Sequence, residues 1–438
     1  MTMLRAHTVS LLALASLCGL CTYHLSSTAN GMDAGPEIQR SIPDAANRLG
    51  LSIERLQLLG TALDRKVTEK AWPGSVSLIA RDGELVHFEA HGALDQASKV
   101  PMPKDAIFRI MSMTKPVVSV TAMALWEQGV FNLDDPIDKI LPELKALRVM
   151  DAKSGETAPL AKSITIYDLL RHASGFTYSF AAQDPSRPSH VKSIAAQYVT
   201  LGIQTNIAPE EFLNRLASIP LIQPPNTAFE YGVSTDVLGV LLERITGKRL
   251  DRLVKEVVLD PLRMKDSGFD VPDSKLARLA DAYDADRMKA GLWSWVQPVR
   301  KDDTYRQAGA GMFSTAGDYF RFAQMMMNGG ELDGVRIISP RTVEFMTADH
   351  IRDLAGSTAA VAGPGYGFGL GFAVRRETGM AVVPGSVGDF NWPGISGTSF
   401  TVDRKQRLVA VLLVQAPSNR IQARHFFKGM VYSTIMRD

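Results

Sequence analysis

Apolar positions recur with a helical period between residues 51 and 70, where Leu51, Ile53, Leu56, Leu58, Leu59 and Leu63 stand among Glu, Arg, Asp and Lys. That spacing gathers the apolar side chains on one stripe and predicts an amphipathic helix. Two apolar runs follow, residues 75–80 and 85–90, around Arg81-Asp82-Gly83-Glu84. Asp-Gly between such runs signals a hairpin, because both residues tolerate positive φ. Strand-like runs return only near the far end, at residues 368–374, 398–402 and 408–414. The last two are joined by the polar turn Asp403-Arg404-Lys405-Gln406-Arg407, and residues 419–436 then read as a helix. Strands at both ends of a chain most simply form one antiparallel sheet, covered by the terminal helices.

Between these ends the pattern is helical or irregular. Residues 165–172, 233–246 and 316–327 read as helices, the second stopped by Gly247 and the third by Asn328-Gly329-Gly330. Residues 173–210 and 270–308 are long, weakly periodic and rich in Pro or Ser, as expected of walls or lids over a site. No repeat, low-complexity tract or composition break appears. The expectation is an α+β fold in one unit of two lobes. The sheet lobe takes residues 47–111 and 349–438, and a mostly helical lobe takes 112–348.

The first thirty residues differ from the rest. Arg5 is the only Lys, Arg, Asp or Glu before Asp33, and residues 9–21 form a short apolar run. Ser27 and Ala29 occupy the minus-three and minus-one places of a cleavage after Ala29. This is the layout of a secretory signal peptide over residues 1–29, implying a periplasmic or secreted protein. The run is short for a membrane span, and an uncleaved anchor is the alternative that would keep the chain at a membrane. Both cysteines, Cys18 and Cys21, fall inside this segment, so the mature chain has no disulfide and no thiol nucleophile. The 438 residues are 45% hydrophobic and 21% charged, with a net charge of +2 and no basic run to mark a nucleic-acid partner.

The chemistry points to Ser112-Met113-Thr114-Lys115, followed by the apolar run from Pro116 to Trp126. A serine three places before a lysine shares its helix face, so the amine lies beside the hydroxyl and can help remove its proton. A second match, Ser189-His190-Val191-Lys192, follows a Pro-bearing loop and lacks such a buried helix. Tyr231, at the mouth of the helix beginning near Thr235, is the candidate for the proton relay, since a lysine beside a tyrosine favours phenolate; position alone does not choose it among the ten tyrosines. The Ser112 turn offers one N–H to an oxyanion, and Asn391-Trp392-Pro393-Gly394-Ile395-Ser396-Gly397-Thr398, leading into a strand, offers a second. His172 reads as a structural residue at a helix end, and Asp134-Asp135-Pro136 as the start of a helix. No phosphate loop, Gly-x-Ser-x-Gly, His-Glu-x-x-His or cofactor motif occurs.

With these residues in view, the chain resembles the serine beta-lactamase-like superfamily, in its class C-like branch and closest to the family VIII carboxylesterases. The likeness runs from about residue 47 to the C-terminus. It includes Phe108-Arg109-Ile110, Leu133-Asp134-Asp135-Pro136, Leu169-Leu170-Arg171-His172-Ala173-Ser174-Gly175, Gly309-Ala310-Gly311-Met312-Phe313-Ser314-Thr315 and Gly365-Tyr366-Gly367-Phe368-Gly369. The resemblance implies a helix-flanked antiparallel sheet and a helical lobe with the site between them. It also implies that Ser112 is acylated, Lys115 activates it and Tyr231 is the general base. The N–H groups of Ser112 and Ile395 would hold the oxyanion, with Trp392 and Gly394 beside the substrate.

Two departures bear on the substrate. Tyr231-Gly232-Val233 stands where beta-lactamases have Tyr-x-Asn, and Trp392-Pro393-Gly394 where they have Lys-Thr-Gly. A charge-assisted hydrogen bond is worth roughly 1.5–3 kcal/mol, so losing that lysine weakens recognition of a beta-lactam carboxylate. Family VIII esterases typically have Trp-Gly-Gly there, and Pro393 removes one backbone donor. The expectation is a serine hydrolase acting on small-molecule esters without a cofactor. An acyltransferase, an amide, peptide or beta-lactam hydrolase, and a non-catalytic binding protein of the same fold are the alternatives.

Overall fold

Asp82 and Gly83 both adopt the left-handed conformation, with φ of 54° and 78°, and fold the chain into the expected hairpin. The computed structural model describes residues 44–97, 99–296 and 304–437; the leader reading of residues 1–29 lies outside them. The hairpin strands are β1 (Gly74–Arg81) and β2 (Glu84–Gly92). Five strands from the other end join them: β3 (Tyr366–Phe368), β4 (Ala373–Arg375), β5 (Phe390–Asn391), β6 (Ser399–Asp403) and β7 (Leu408–Val414). The seven pair antiparallel in the order β2-β1-β7-β6-β5-β4-β3. Ser75 meets Val414 and Arg81 meets Leu408, so opposite ends of the chain lie side by side.

Both faces of this sheet are covered, which is why its central strands read as unbroken apolar runs and not as alternating ones. Val76, Leu78 and Ala80 join Val409, Val411 and Leu413 in one core. Ile79 joins Leu408, Ala410, Leu412 and Val414 in another, beneath the terminal helices α1 (Ile53–Thr68) and α6 (Arg420–Ser433). Ser52 caps α1 by accepting the Arg55 N–H. On the opposite face α5 (Ala316–Met327) packs on β1, β6 and β7. The sheet is thus covered by a helix from the middle of the chain, within the stretch expected to form the helical lobe.

The helix after Ser112, α2 (Thr114–Glu127), is buried from Thr114 to Leu125. It packs on α4 (Ser234–Thr246), which Gly247 ends in the left-handed conformation. Three expectations need correction. The run 368–374 is two strands, because Gly369 N–H bonds back to the Phe372 carbonyl and Gly371, at φ 93°, turns the chain. A Cβ at Gly371 would lie 2.4 Å from Ser119 Oγ, so only glycine fits between this turn and α2. Residues 173–210 contain a twelve-residue helix, α3 (Ser189–Thr200), that buries Val191, Ile194, Ala195 and Tyr198. The helix expected at 165–172 spans only Ile166–Leu170, closed at its start by a capping box of Thr165 and Asp168.

Where β2 crosses α1, two histidines are buried. His87 Nε2 lies 2.7 Å from Ser77 Oγ, and His91 bridges Asp64 and Glu89. Burial pushes the His87 imidazole down to about 4, whereas His91 is raised, its bonds to Glu89 and Asp64 outweighing burial. As pH falls below His87's ordinary value of 6.5, the unfolded chain takes up a proton that the folded chain refuses until about 4. This group's stabilisation is therefore full above that window and is lost through it, by about 3 kcal/mol. Thermal melts across the window should show a steeper loss in the wild type than in His87→Asn. Equal slopes would refute the assignment.

Candidate active site

Sequence places Ser112 at a helix start; the structure puts it one step earlier. The strand Phe108–Arg109 pairs with Phe313–Ser314, and the chain then enters a 3-10 turn, Met111–Met113, before α2 begins at Thr114. Met111 has φ 47°, a left-handed conformation that costs about 1–3 kcal/mol in a side-chain-bearing residue. The surroundings hold it there. Thr114 Oγ1 donates to the Met111 carbonyl at 2.7 Å and accepts the Met312 N–H at 3.1 Å. Tyr319 OH donates to the Met113 carbonyl at 2.9 Å. From the segment leading into β6, Ser396 Oγ donates to the Arg109 carbonyl at 2.7 Å and Thr398 Oγ1 to that of Ile110 at 3.2 Å.

The structure brings Ser112, Lys115 and Tyr231 together. Tyr231 OH donates to Ser112 Oγ at 2.7 Å, while Lys115 Nζ is 3.5 Å from that oxygen. The closer bonds of Lys115 go elsewhere, to Tyr178 OH at 3.0 Å and the Gly309 carbonyl at 2.7 Å. Lys115 is fully buried, and no carboxylate pairs with it among the described residues. Its Nζ also lies 4.6 Å from the centre of the Tyr231 ring. Gly309 must be glycine for this packing, since a Cβ would lie 2.6 Å from Asp236 Oδ2 and 2.9 Å from Tyr178 OH.

Tyr178 escaped the sequence reading, although it stands three residues beyond the quoted segment ending at Gly175. Burial pushes its phenol well above the ordinary value, with Tyr231 and Asp236 adding to the shift, so it is neutral. Glu230 ties the two tyrosines together. It accepts from Thr177 Oγ1 at 2.7 Å and pairs with Arg187, fixing the chain just before both Tyr178 and Tyr231. His172 is buried against Tyr231, ring centres 5.0 Å apart. Burial and then the Lys115 charge push its imidazole well below the ordinary value.

A cavity of about 250 Å³ opens over Ser112. Tyr178, Phe180 and Gln204 line it from one of the two long segments, and Met288, Tyr305 and Gln307 from the other, so both segments do form walls. Pro393, Gly394 and Ile395 supply the sheet-side wall. Ile395 N–H makes no hydrogen bond among the described residues. Trp392 corrects the expectation that it touches substrate. It is fully buried behind Tyr231, ring centres 5.1 Å apart, and also packs on Phe368. Gly394 is small for packing, because a Cβ would lie 2.2 Å from Thr398 Oγ1 and 2.5 Å from the Ile110 carbonyl. The second Ser-x-x-Lys match lies at the start of α3 and lines none of this cavity. Among the described residues no cluster of His, Cys, Asp and Glu could hold a metal ion.

Known proteins match this arrangement over most of the chain. The beta-lactamase family model matches residues 61–426. A Mycobacterium tuberculosis protein, Rv1367c, is 34% identical over 78% of this chain and 85% of its own length. Esterase EstB of Burkholderia gladioli is 31% identical over 81% of this chain and 89% of its own. The solved structure of EstCE1, described as a hydrolase with promiscuous acyltransferase activity, superposes with a TM-score of 0.71. It shares 24% identity and covers 88% of this chain and 99% of that one, a likeness of fold. On the family match and these relatives, the chain belongs to the beta-lactamase family.

Proposed function

We propose that the protein is an exported serine hydrolase that cleaves small carboxylic esters through an acyl–Ser112 intermediate. The observation that carries this is the short bond from Tyr231 OH to Ser112 Oγ on the floor of a largely apolar cavity, with Lys115 beside both. Ser112 Oγ attacks the ester carbonyl as its proton passes to the Lys115–Tyr231 couple. The N–H groups of Ser112 and Ile395 receive the oxyanion. Tyr231 then gives a proton to the departing alkoxide, and water enters by the reverse route. Tyr178 and the Gly309 carbonyl hold Lys115 in place, and Trp392 and His172 hold the ring of Tyr231. Export rests on the leader-like composition of residues 1–29.

The likeness to esterase EstB supports an ester over a beta-lactam. So do Val233 and Trp392, which leave the places of the beta-lactamase Asn and Lys without a polar group. The acyl group could instead pass to an alcohol, a reading favoured by apolar Phe180 and Ile421 in the wall of the cavity, which disfavour water. Product analysis with added alcohol separates the two, since transfer yields a new ester and hydrolysis only the acid.

Two outcomes are expected. The protein should hydrolyse p-nitrophenyl butyrate and barely open a chromogenic cephalosporin, with ester turnover absent in Ser112→Ala and reduced about 10²–10⁴-fold in Tyr231→Phe. Ester turnover that survives Ser112→Ala would end the mechanism, whereas strong cephalosporin opening would end only the substrate argument. In Tyr178→Phe, kcat should fall about tenfold with little change in KM, since a Lys115 anchor is lost but no substrate contact. A change confined to KM would show that Tyr178 binds substrate instead.

A further inference from the structure

The last helix sets two arginines into the wall of the Ser112 cavity. Arg420 and Arg424 are one turn apart on α6 and line the cavity beside Pro393, Gly394 and Ile395. Buried Arg109 donates to the Val296 carbonyl at 3.1 Å, while Arg375 and Arg171 are answered by carboxylates, Asp389 at 2.7 Å and Asp168 at 2.9 Å. Arg424 is not. No ion pair reaches it among the described residues, and its Nε is buried without a hydrogen-bond partner. Burial, and then the charge of Arg420, pull its guanidinium down to about 10.

Arg420 is only partly answered. Its Nη1 donates to the Pro417 carbonyl at 2.9 Å and to the Met288 sulfur at 3.3 Å. The opposite charge nearby is Asp286, which already accepts the Ser418 N–H and hydroxyl. The carboxylate in the cavity wall, Asp236, accepts the Gly309 N–H at the Lys115 end. A guanidinium withdrawn from water and left unpaired is unfavourable until an anion completes it, and its planar fork suits a carboxylate.

We infer that the cavity selects esters that also carry a carboxylate, which Arg424 receives with Arg420 beside it. The inference rests on the ester-cleaving reading and adds the charge of the substrate to it.

The test compares two matched pairs. Mono-p-nitrophenyl glutarate against its methyl ester places the charge on the acyl half, and 4-acetoxybenzoate against its methyl ester places it on the alcohol half. In at least one pair the anionic member should have the higher kcat/KM, by roughly tenfold to a hundredfold. That pair identifies which half carries the carboxylate. Its ratio should fall towards one in Arg424→Gln, survive in part in Arg424→Lys, and shrink as salt rises from about 20 mM to about 500 mM. Because a ratio is read within each variant, a general loss of activity cannot imitate the effect. Ser112-dependent turnover with no preference for charge in either pair overturns the inference and leaves the esterase standing. A preference that survives Arg424→Gln overturns it too. No Ser112-dependent turnover of any ester removes both.

Discussion

A buried lysine side chain that forms no ion pair among the described residues governs how this molecule is put together. Burying a charged or strongly polar group without a partner is costly, so its surroundings must supply the missing contacts. Here they come from four separate parts of the chain: the hydroxyl of Ser112, the phenol of Tyr178, the carbonyl of Gly309 and the ring face of Tyr231. Each brings its own supports. Gly309 has no room for a Cβ, Glu230 ties the chain before Tyr178 to that before Tyr231, and Trp392 backs the Tyr231 ring. Satisfying one amine thus fixes the relative positions of the turn before α2, the long segment after residue 173 and the connection between β5 and β6. Ser112 and its closest hydrogen-bond partner, Tyr231, are set by the same contacts.

The strain at Met111 belongs to the same arrangement. A left-handed residue before Ser112 persists only because α5, the 309–315 segment and the segment leading into β6 all bond to the backbone around it. The result is a hydroxyl held at the floor of a cavity that Ile395 also lines. The Ser112 turn comes from one part of the chain and Ile395 from another, so the wall they share exists only in the assembled fold.

Local signals in the sequence show through wherever a contact is local. Asp82-Gly83 announces the hairpin, the two-sided burial of β1 and β7 announces itself as unbroken apolar runs, and Ser112 and Lys115 are neighbours on one turn. Tyr231 became visible only through its family setting, because nothing in Phe229-Glu230-Tyr231 distinguishes it from nine other tyrosines. Tyr178 and Arg424 stayed hidden for a related reason: their significance depends on what lies opposite, the amine of Lys115 and the cavity wall at Pro393. The run at 368–374 misled because Gly371 turns under the demand of Ser119 on a distant helix, and local propensity carries no trace of that. Trp392 misled differently. Its place in the motif suggests substrate, yet its size and apolar character find a better fit behind Tyr231.

The pairing of β1 with β7 has a temporal side. Strand β1 is among the first elements made and β7 among the last, and Ser75 finds its partner only when Val414 has been synthesised. Until then β1 has an unpaired ladder edge, and the face that α5 covers stays open until α5 is made, a state that invites wrong pairing. Contacts so distant along the chain close late and slowly. A ribosome-bound or truncated chain therefore has no complete sheet to shelter its core, and assembly of the cavity waits on the final segment. Maturation of this protein is an event of the whole polypeptide, not of its growing end.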